Sequence, residues 1–367
     1  AIAATLVRDA SMYVVDEPSS FLDVQQRLNM AEIISDMGDE REVLVVEHDL
    51  ATLDLISSTT HVFHGEPQGY GMVSNSFSTR QGINQYLDGY LQTHNLRIRD
   101  DSIKFDRTKR SQVENKAEVA KYPRFKKSFG DGEFSLDSDH GSIHEEEILG
   151  ILGENGVGKT TFAKMLAGGI EPDQGESPEK SISYKPQYLE AQDKSVEQAL
   201  KNHVNPEEKR FKTRISEPLE LEELYDQNLE ELSGGELQRV GVAICLARDA
   251  DIYLLDEPSA YLDVESRVEL GKTLKRFGRK TGKPLLVVDH DLLLMDYIAD
   301  RGIIFTGEPG NKGTATQPMK IEEAMNRFLK EMDLTFRKDP DTGRPRANKP
   351  GSQKDQQQRK RNEYYEQ

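Results

Sequence analysis

The apolar positions of this 367-residue chain fall into short runs that end abruptly in polar residues: EEILGIL (146–152), SISYKPQ (181–187), IYLLD (252–256) and LLVVDHD (285–291). The runs EEILGIL, IYLLD and LLVVDHD are apolar enough to predict buried strands, as in an open parallel sheet, and SISYKPQ reads as another short strand. The segment TFAKMLAG (161–168) reads as a helix following the first run, and LSGGELQRV (232–240) opens a second helix that continues through VGVAICLA (240–247). Residues 171–181 and 205–218 are rich in Pro, Glu and Lys, and read as surface loops and the edge of a helical subdomain. No apolar run approaches the ~18 residues of a membrane-spanning helix.

The chain repeats itself. Residues 8–24, RDASMYVVDEPSSFLDV, align without gaps to residues 248–264, RDADIYLLDEPSAYLDV, with eleven of seventeen positions identical. VLVVEHDL (43–50) then matches LLVVDHDL (285–292), and FHGEP (63–67) matches FTGEP (305–309). An offset of 240–242 residues is too long for a solenoid and implies two copies of one large domain. GENGVGKT (153–160) and LSGGE (232–236) have no counterparts in the first copy, where the offset puts them upstream of residue 1. Residues 1–10, AIAATLVRDA, have neither an initiating Met nor the basic and apolar regions of a targeting peptide. The expectation is a piece of a longer protein that begins inside its first domain.

GENGVGKT fits the pattern G-x-x-x-x-G-K-[ST] between a predicted strand and a predicted helix, the context in which it cradles phosphates. Gly153, Gly156 and Gly158, with Asn155 between them, let backbone N–H groups converge on phosphate oxygens at a helix N-terminus. Lys159 is expected to reach the β- and γ-phosphates, Thr160 to ligate Mg²⁺, and Thr161 to join the contacts to the nucleotide. Asp256, ending an apolar strand, is a second Mg²⁺ candidate, and Glu257 beside it is a candidate to polarise an attacking water. His290, at another strand end, is expected to contact the γ-phosphate. The competing reading is a structural histidine. Gln187, neutral and able to donate and accept, is a third candidate at the metal-bound water. Ser233 and Gly235 open a helix that reads either as a second anion-binding start or as an ordinary N-cap with Glu236 closing a capping box.

Charge and cysteine count narrow the classes. The 48 Lys and Arg against 65 Asp and Glu give a net charge of -17, which argues against coating nucleic acid by bulk electrostatics but leaves room for a local basic patch. Residues 335–362 are such a patch, with nine Lys or Arg against three Asp, and read equally as a solvated tail or a nucleic-acid-facing hinge. Cys245, the single cysteine, excludes a disulfide framework and a cysteine-rich metal centre within the chain, reads as a core thiol, and suits a cytoplasmic setting.

GENGVGKT, Gln187, LSGGE, YLLDEP, SAYLD and His290, in that order, resemble an ABC-type ATPase cassette over about residues 120–310, and over about 1–70 for the incomplete copy. The fold class is therefore α/β: a P-loop NTPase of the ABC nucleotide-binding type, with one complete cassette and the C-terminal part of a second. The expected organisation is an incomplete first cassette (1–75), a hinge (76–115), the complete second cassette (116–332) and a C-terminal hinge or tail (333–367). GEP after the switch strand in both copies, YKPQ, and TFRKDPDTGRPRANKPGS (335–352) are similar to subfamily E, the ribosome-recycling ATPase also called the RNase L inhibitor homologue.

The resemblance implies a signature at Ser233–Glu236, a D-loop at Asp263, a switch role for His290, and an adenine-stacking aromatic ahead of the P-loop, with Tyr122 the first candidate and Phe125 and Phe129 after it. It implies ATP and Mg²⁺ as cofactors, iron–sulfur clusters only in an N-terminal domain that this chain lacks, and no membrane. The implied partners are the small ribosomal subunit, ribosomal RNA and a Pelota- or release-factor-type protein. In the family, ATP is sandwiched between the P-loop of one cassette and the signature of the other. Neither such site is expected to be complete here, so MgATP binding is expected to be weak and hydrolysis slow or absent. The alternatives are a subfamily F translation ATPase, a transporter ATPase subunit, and a non-enzymatic ATP-gated binding module.

Overall fold

The computed structural model describes residues 5, 7, 9–20, 22–66, 69–100, 102–103, 113–130, 134–189 and 192–366. They group into two units, one formed by Ala1–Thr108 with Leu329–Gln367, the other by Lys109–Phe328.

The second unit is built on a nine-stranded sheet whose centre runs Arg301–Glu308, Ile148–Gly153, Leu285–Val288, Ile252–Asp256, Ile182–Lys185, each strand parallel to its neighbour. Every residue of Ile148–Gly153, Ile252–Asp256 and Leu285–Val288 is buried, so the continuous apolar runs are strands covered on both faces. Leu149, Ile151, Leu254, Leu286 and Val288 pack into one core with Phe162 and Met165 of the helix Lys159–Leu166. All five central strands therefore deliver their C-terminal ends to one edge, where open parallel sheets bind ligands. The remaining strands, Lys312–Ala315, Phe134–Ser138, Phe125–Phe129 and Met319–Lys320, extend the sheet beyond Arg301–Glu308.

In the first unit, Met12–Asp16 pairs in parallel with Glu42–Val46. The helix Val24–Glu40 starts from a capping box between Asp23 and Gln26. Both strands are only partly covered, and Met12, Val14, Leu44 and Val46 are exposed, unlike the fully buried strands of the second unit.

The C-terminal residues are no solvated tail: they fold into this first unit. Phe336–Lys338 pairs antiparallel with Pro345–Ala347, and the helix Gln353–Arg361 follows. Arg344, fully buried, donates to Asp54 at 2.6 Å, and Arg346 donates to the same carboxylate at 2.8 Å. Asp339 accepts from Arg80 at 3.1 Å and Arg346 at 3.3 Å, and also from the N–H groups of Asp341 and Thr342. Asp355 accepts from Thr335 at 2.7 Å and Arg359 at 2.8 Å. The nine cations of this segment are partly consumed inside the unit, which the charge count alone did not reveal. The helix Thr79–Asp88, assigned to a hinge from the sequence, is likewise part of this unit.

Candidate nucleotide site

The phosphate loop is shaped by glycines in the left-handed region, where side chains are strained. Gly156 has φ +76° and Gly158 φ +100°. A Cβ at Gly158 would also meet Phe134 at 3.0 Å and Leu136 at 3.1 Å, so both conformation and space demand glycine there. Gly158 is the N-cap of Lys159–Leu166 and offers no side-chain cap, which leaves the N–H groups of the first turn directed at the loop. Lys159 is buried and folds back over the loop, donating to the carbonyls of Gly153 at 2.9 Å and Glu154 at 2.5 Å. Asn155 lies in the loop, and Thr161 is part-buried in the helix's first turn.

Thr160 Oγ1 donates to Asp256 Oδ2 at 2.9 Å, although 96 residues separate them. Tyr184 donates to the same oxygen at 3.2 Å. Asp256 Oδ1 is buried with no hydrogen-bond partner among the described residues. Burial, reinforced by the neighbouring Glu257, raises the Asp256 pKa against the pull of those two hydroxyls. A buried carboxylate with an orphaned oxygen beside a hydroxyl fits a hard, oxygen-liganded cation such as Mg²⁺. Gln187 lies just past the strand end, where its carbonyl accepts from Gln238 at 3.4 Å.

Glu257 follows Asp256 with φ +46°, and its N–H donates to Val288 O at 2.8 Å. Its Oε1 lies 3.5 Å from His290 Nε2. Burial would raise its pKa, but the neighbouring His290 and Gln187 and the charge of Lys159 outweigh burial and hold the carboxyl below its usual value. Glu257 is therefore an ionised acceptor at neutral pH. The turn between Glu257 and the next helix is pinned by Ser259, which donates to Asp289 through Oγ at 2.7 Å and through N–H at 3.1 Å.

The two readings of the LSGGE segment resolve locally in favour of capping: Ser233 and Glu236 form a complete capping box on the helix Gly234–Ala247. The glycines that follow have a separate reason. A Cβ at Gly234 would sit 2.9 Å from the ring of Tyr261, and one at Gly235 would sit 2.9 Å from the Tyr261 carbonyl. Asp263, placed in the D-loop from the sequence, caps the helix Val264–Thr281 by accepting from Ser266 N at 2.7 Å.

Tyr122 is a correction. Only 1% of it is exposed, with its ring stacked on Phe125 at 5.9 Å and set edge-on to Phe162 at 5.5 Å, so it presents no face to a base. Phe125 is equally buried. Phe129 is part-buried and lies 6.3 Å from Phe134, the ring that approaches Gly158. Phe134 was not singled out from the sequence. Tyr184 and Lys185 were missed as well, although a lysine at the end of an apolar strand was the available signal. Lys185 Nζ donates to Asp256 O at 3.0 Å and Pro186 O at 3.1 Å, and burial lowers its pKa to about 8. Cys245 is the core thiol expected, buried against Ser183 and pushed up to about 11 by burial.

The first unit carries some of the same contacts without the phosphate loop. His48 Nε2 lies 3.4 Å from Glu17 Oε1, and Arg27 bonds Asp49 at 2.6 Å as Arg267 bonds Asp291 at 2.9 Å.

A parallel α/β sheet, a phosphate loop, and an Asp-Glu pair and a histidine at neighbouring strand ends define a P-loop ATPase of the ABC-cassette class. Residues 136–260 match the ABC transporter family. The chain is 48% identical, over 369 residues, to an uncharacterized ABC transporter ATP-binding protein of Methanocaldococcus jannaschii, aligning all of this chain with 61% of that protein. A crystal structure of archaeal ribosomal stalk protein aP1 with archaeal ribosome recycling factor aABCE1 matches at TM-score 0.92 and 49% identity, covering 99% of this chain and 71% of that one. A model of ribosome-bound archaeal Pelota and ABCE1 matches at TM-score 0.94 and 49% identity, covering 99% of this chain and 62% of that one. The chain belongs to subfamily E of the ABC-type ATPases. It spans 61% of the length of the Methanocaldococcus relative. Among the described residues no helix is long and apolar enough to cross a membrane.

Proposed function

We propose that this chain binds MgATP in its complete cassette and serves as the ATP-driven part of a ribosome-recycling factor that separates ribosomal subunits. Its partners on this reading are the small subunit, ribosomal RNA and a Pelota- or release-factor-type protein, in the cytoplasm. The ATPase half is carried by the Thr160–Asp256 hydrogen bond of 2.9 Å under the phosphate loop. The ribosome half is supported by the likeness, over 99% of the chain, to an archaeal ribosome recycling factor.

Lys159 moves from the loop carbonyls onto the β- and γ-phosphate oxygens. Thr160, Asp256 and Gln187 hold Mg²⁺, which when bound neutralises phosphate charge. Glu257 accepts from the attacking water and orients it in line with the γ-phosphate, while His290 contacts that phosphate. A capped helix start still offers N–H groups beyond its cap, so Ser233 and Gly235 engage a nucleotide held by a facing cassette.

The test is nucleotide-dependent co-sedimentation of the longer protein with small ribosomal subunits, comparing a non-hydrolysable ATP analogue with ADP in wild type and Glu257→Gln. Binding only with the analogue, locked on by the substitution when ATP is supplied, is the expected result. Binding in neither state removes the ribosome from the reading. The chain by itself is expected to bind MgATP and to turn it over slowly, and rapid steady-state phosphate release would contradict that.

A further inference from the structure

We propose that Lys185 is a positioning residue of the MgATP site: its ammonium ties the end of the Ile182–Lys185 strand, and with it Gln187, to the main chain at Asp256. The inference rests on the MgATP reading above.

Lys185 is 1% exposed, and its hydrogen-bond partners are two backbone carbonyls, Asp256 O at 3.0 Å and Pro186 O at 3.1 Å. An ammonium is costly to bury, and a space-filling role would be met more cheaply by an apolar side chain. The local geometry gives the ammonium a task. The parallel ladder between the two strands ends at the pair Lys185 and Leu255. The next residue is Pro186, which has no N–H with which to continue it. Asp256 and Gln187 both lie past that point, so neither is fixed to the other by strand hydrogen bonding.

The Lys185 ammonium supplies the missing donor, holding Asp256 O and Pro186 O to one point. Tyr184, one residue earlier on the same strand, adds a bond to the Asp256 carboxylate at 3.2 Å. Asp256 is thus held through its main chain by Lys185 and through its side chain by Tyr184. Partners that orient metal ligands without touching the metal change metal affinity by about 10- to 100-fold when removed.

The experiment uses this chain and a fluorescent ATP analogue, titrated with Mg²⁺ and again with EDTA, alongside thermal unfolding. Lys185→Met keeps the length and removes the charge and the donors. It is expected to cut the Mg²⁺-dependent gain in affinity about tenfold, with affinity in EDTA unchanged within about twofold and no drop in melting temperature. Lys185→Gln, which keeps a donor, is expected to fall between the two.

An unchanged Mg²⁺-dependent gain overturns the assignment and leaves the MgATP reading standing. So does a parallel loss of affinity with and without Mg²⁺, which marks a packing role. Failure of both variants to fold makes Lys185 a folding residue and also overturns it. A wild-type chain with no Mg²⁺-dependent gain overturns the inference and the MgATP reading together.

Discussion

His290 Nε2 lies 3.5 Å from Glu257 Oε1, and the repeat reproduces the pair in the first unit as His48 and Glu17, 3.4 Å apart. Both glutamates hold positive φ, +46° and +43°, a conformation that costs about 1–3 kcal/mol and persists where the surroundings impose it. In both units the glutamate N–H is anchored across to the neighbouring strand, to Val288 O and to Val46 O, each at 2.8 Å. If His290 reads the γ-phosphate, its loss should be felt by ATP and not by ADP. His290→Ala is expected to weaken ATP binding about fivefold, the worth of one hydrogen bond, with ADP unchanged by calorimetry. An equal loss for both nucleotides would give His290 a structural role only.

Gly158 allows a sharper test of the loop. Gly158→Ala forces a side chain into φ +100° and against Phe134 and Leu136, so it should destabilise the second unit by about 1–3 kcal/mol and abolish nucleotide binding. Thermal unfolding and analogue binding on the same variant check both halves. Retained affinity would mean that the loop does not cradle phosphate.

With Tyr122 and Phe125 in the core, Phe129 is the remaining candidate for an adenine platform among the aromatics expected ahead of the loop. Phe129→Ala should weaken ATP by about 1–3 kcal/mol and leave inorganic triphosphate unaffected, because only the base meets the ring. Competition titrations with the two ligands separate these outcomes.

The C-terminal segment should behave as structure. Removing one partner of a buried ion pair costs about 3–5 kcal/mol, and Asp54→Ala strands the buried Arg344, so the first unit should unfold at lower denaturant by that amount. Asp339 and Asp355 are raised by burial but lowered further by hydrogen bonds and cations, so both fold with pKa values below the unfolded 3.8. Their stabilisation is fully present above the unfolded pKa and is lost as pH falls through the folded ones. Wild type should therefore lose melting temperature more steeply than Asp339→Asn below about pH 4. Parallel curves would show that Asp339 contributes nothing through its charge.

Cys245, buried and with its pKa pushed up to about 11, should resist thiol reagents at neutral pH until the second unit unfolds. Modification of the native chain at the rate of a free thiol would contradict its place in the core.

The sequence by itself determined the phosphate loop, the strand-ending Asp256, Glu257 and His290, the core cysteine and the repeat, because each is written in local order: glycine spacing, apolar runs and the polar residue that stops them. The apolar runs also pointed to buried strands, which holds for Ile148–Gly153, Ile252–Asp256 and Leu285–Val288, whereas the similar runs Met12–Asp16 and Glu42–Val46 keep exposed positions. What it left open are properties of neighbours distant in the chain. Tyr122 precedes the loop in sequence as an adenine platform would, yet packing against Phe162 turns its ring inward. The basic C-terminal segment reads as solvated until Asp54, 290 residues away from Arg344, supplies the buried counter-charge. Lys185 reads as a polar strand end until Pro186 breaks the ladder and the Asp256 carbonyl, 71 residues on, takes the ammonium. Hydrogen-bond and ion-pair partners across such distances are chosen by the fold, and only the tertiary structure decides them.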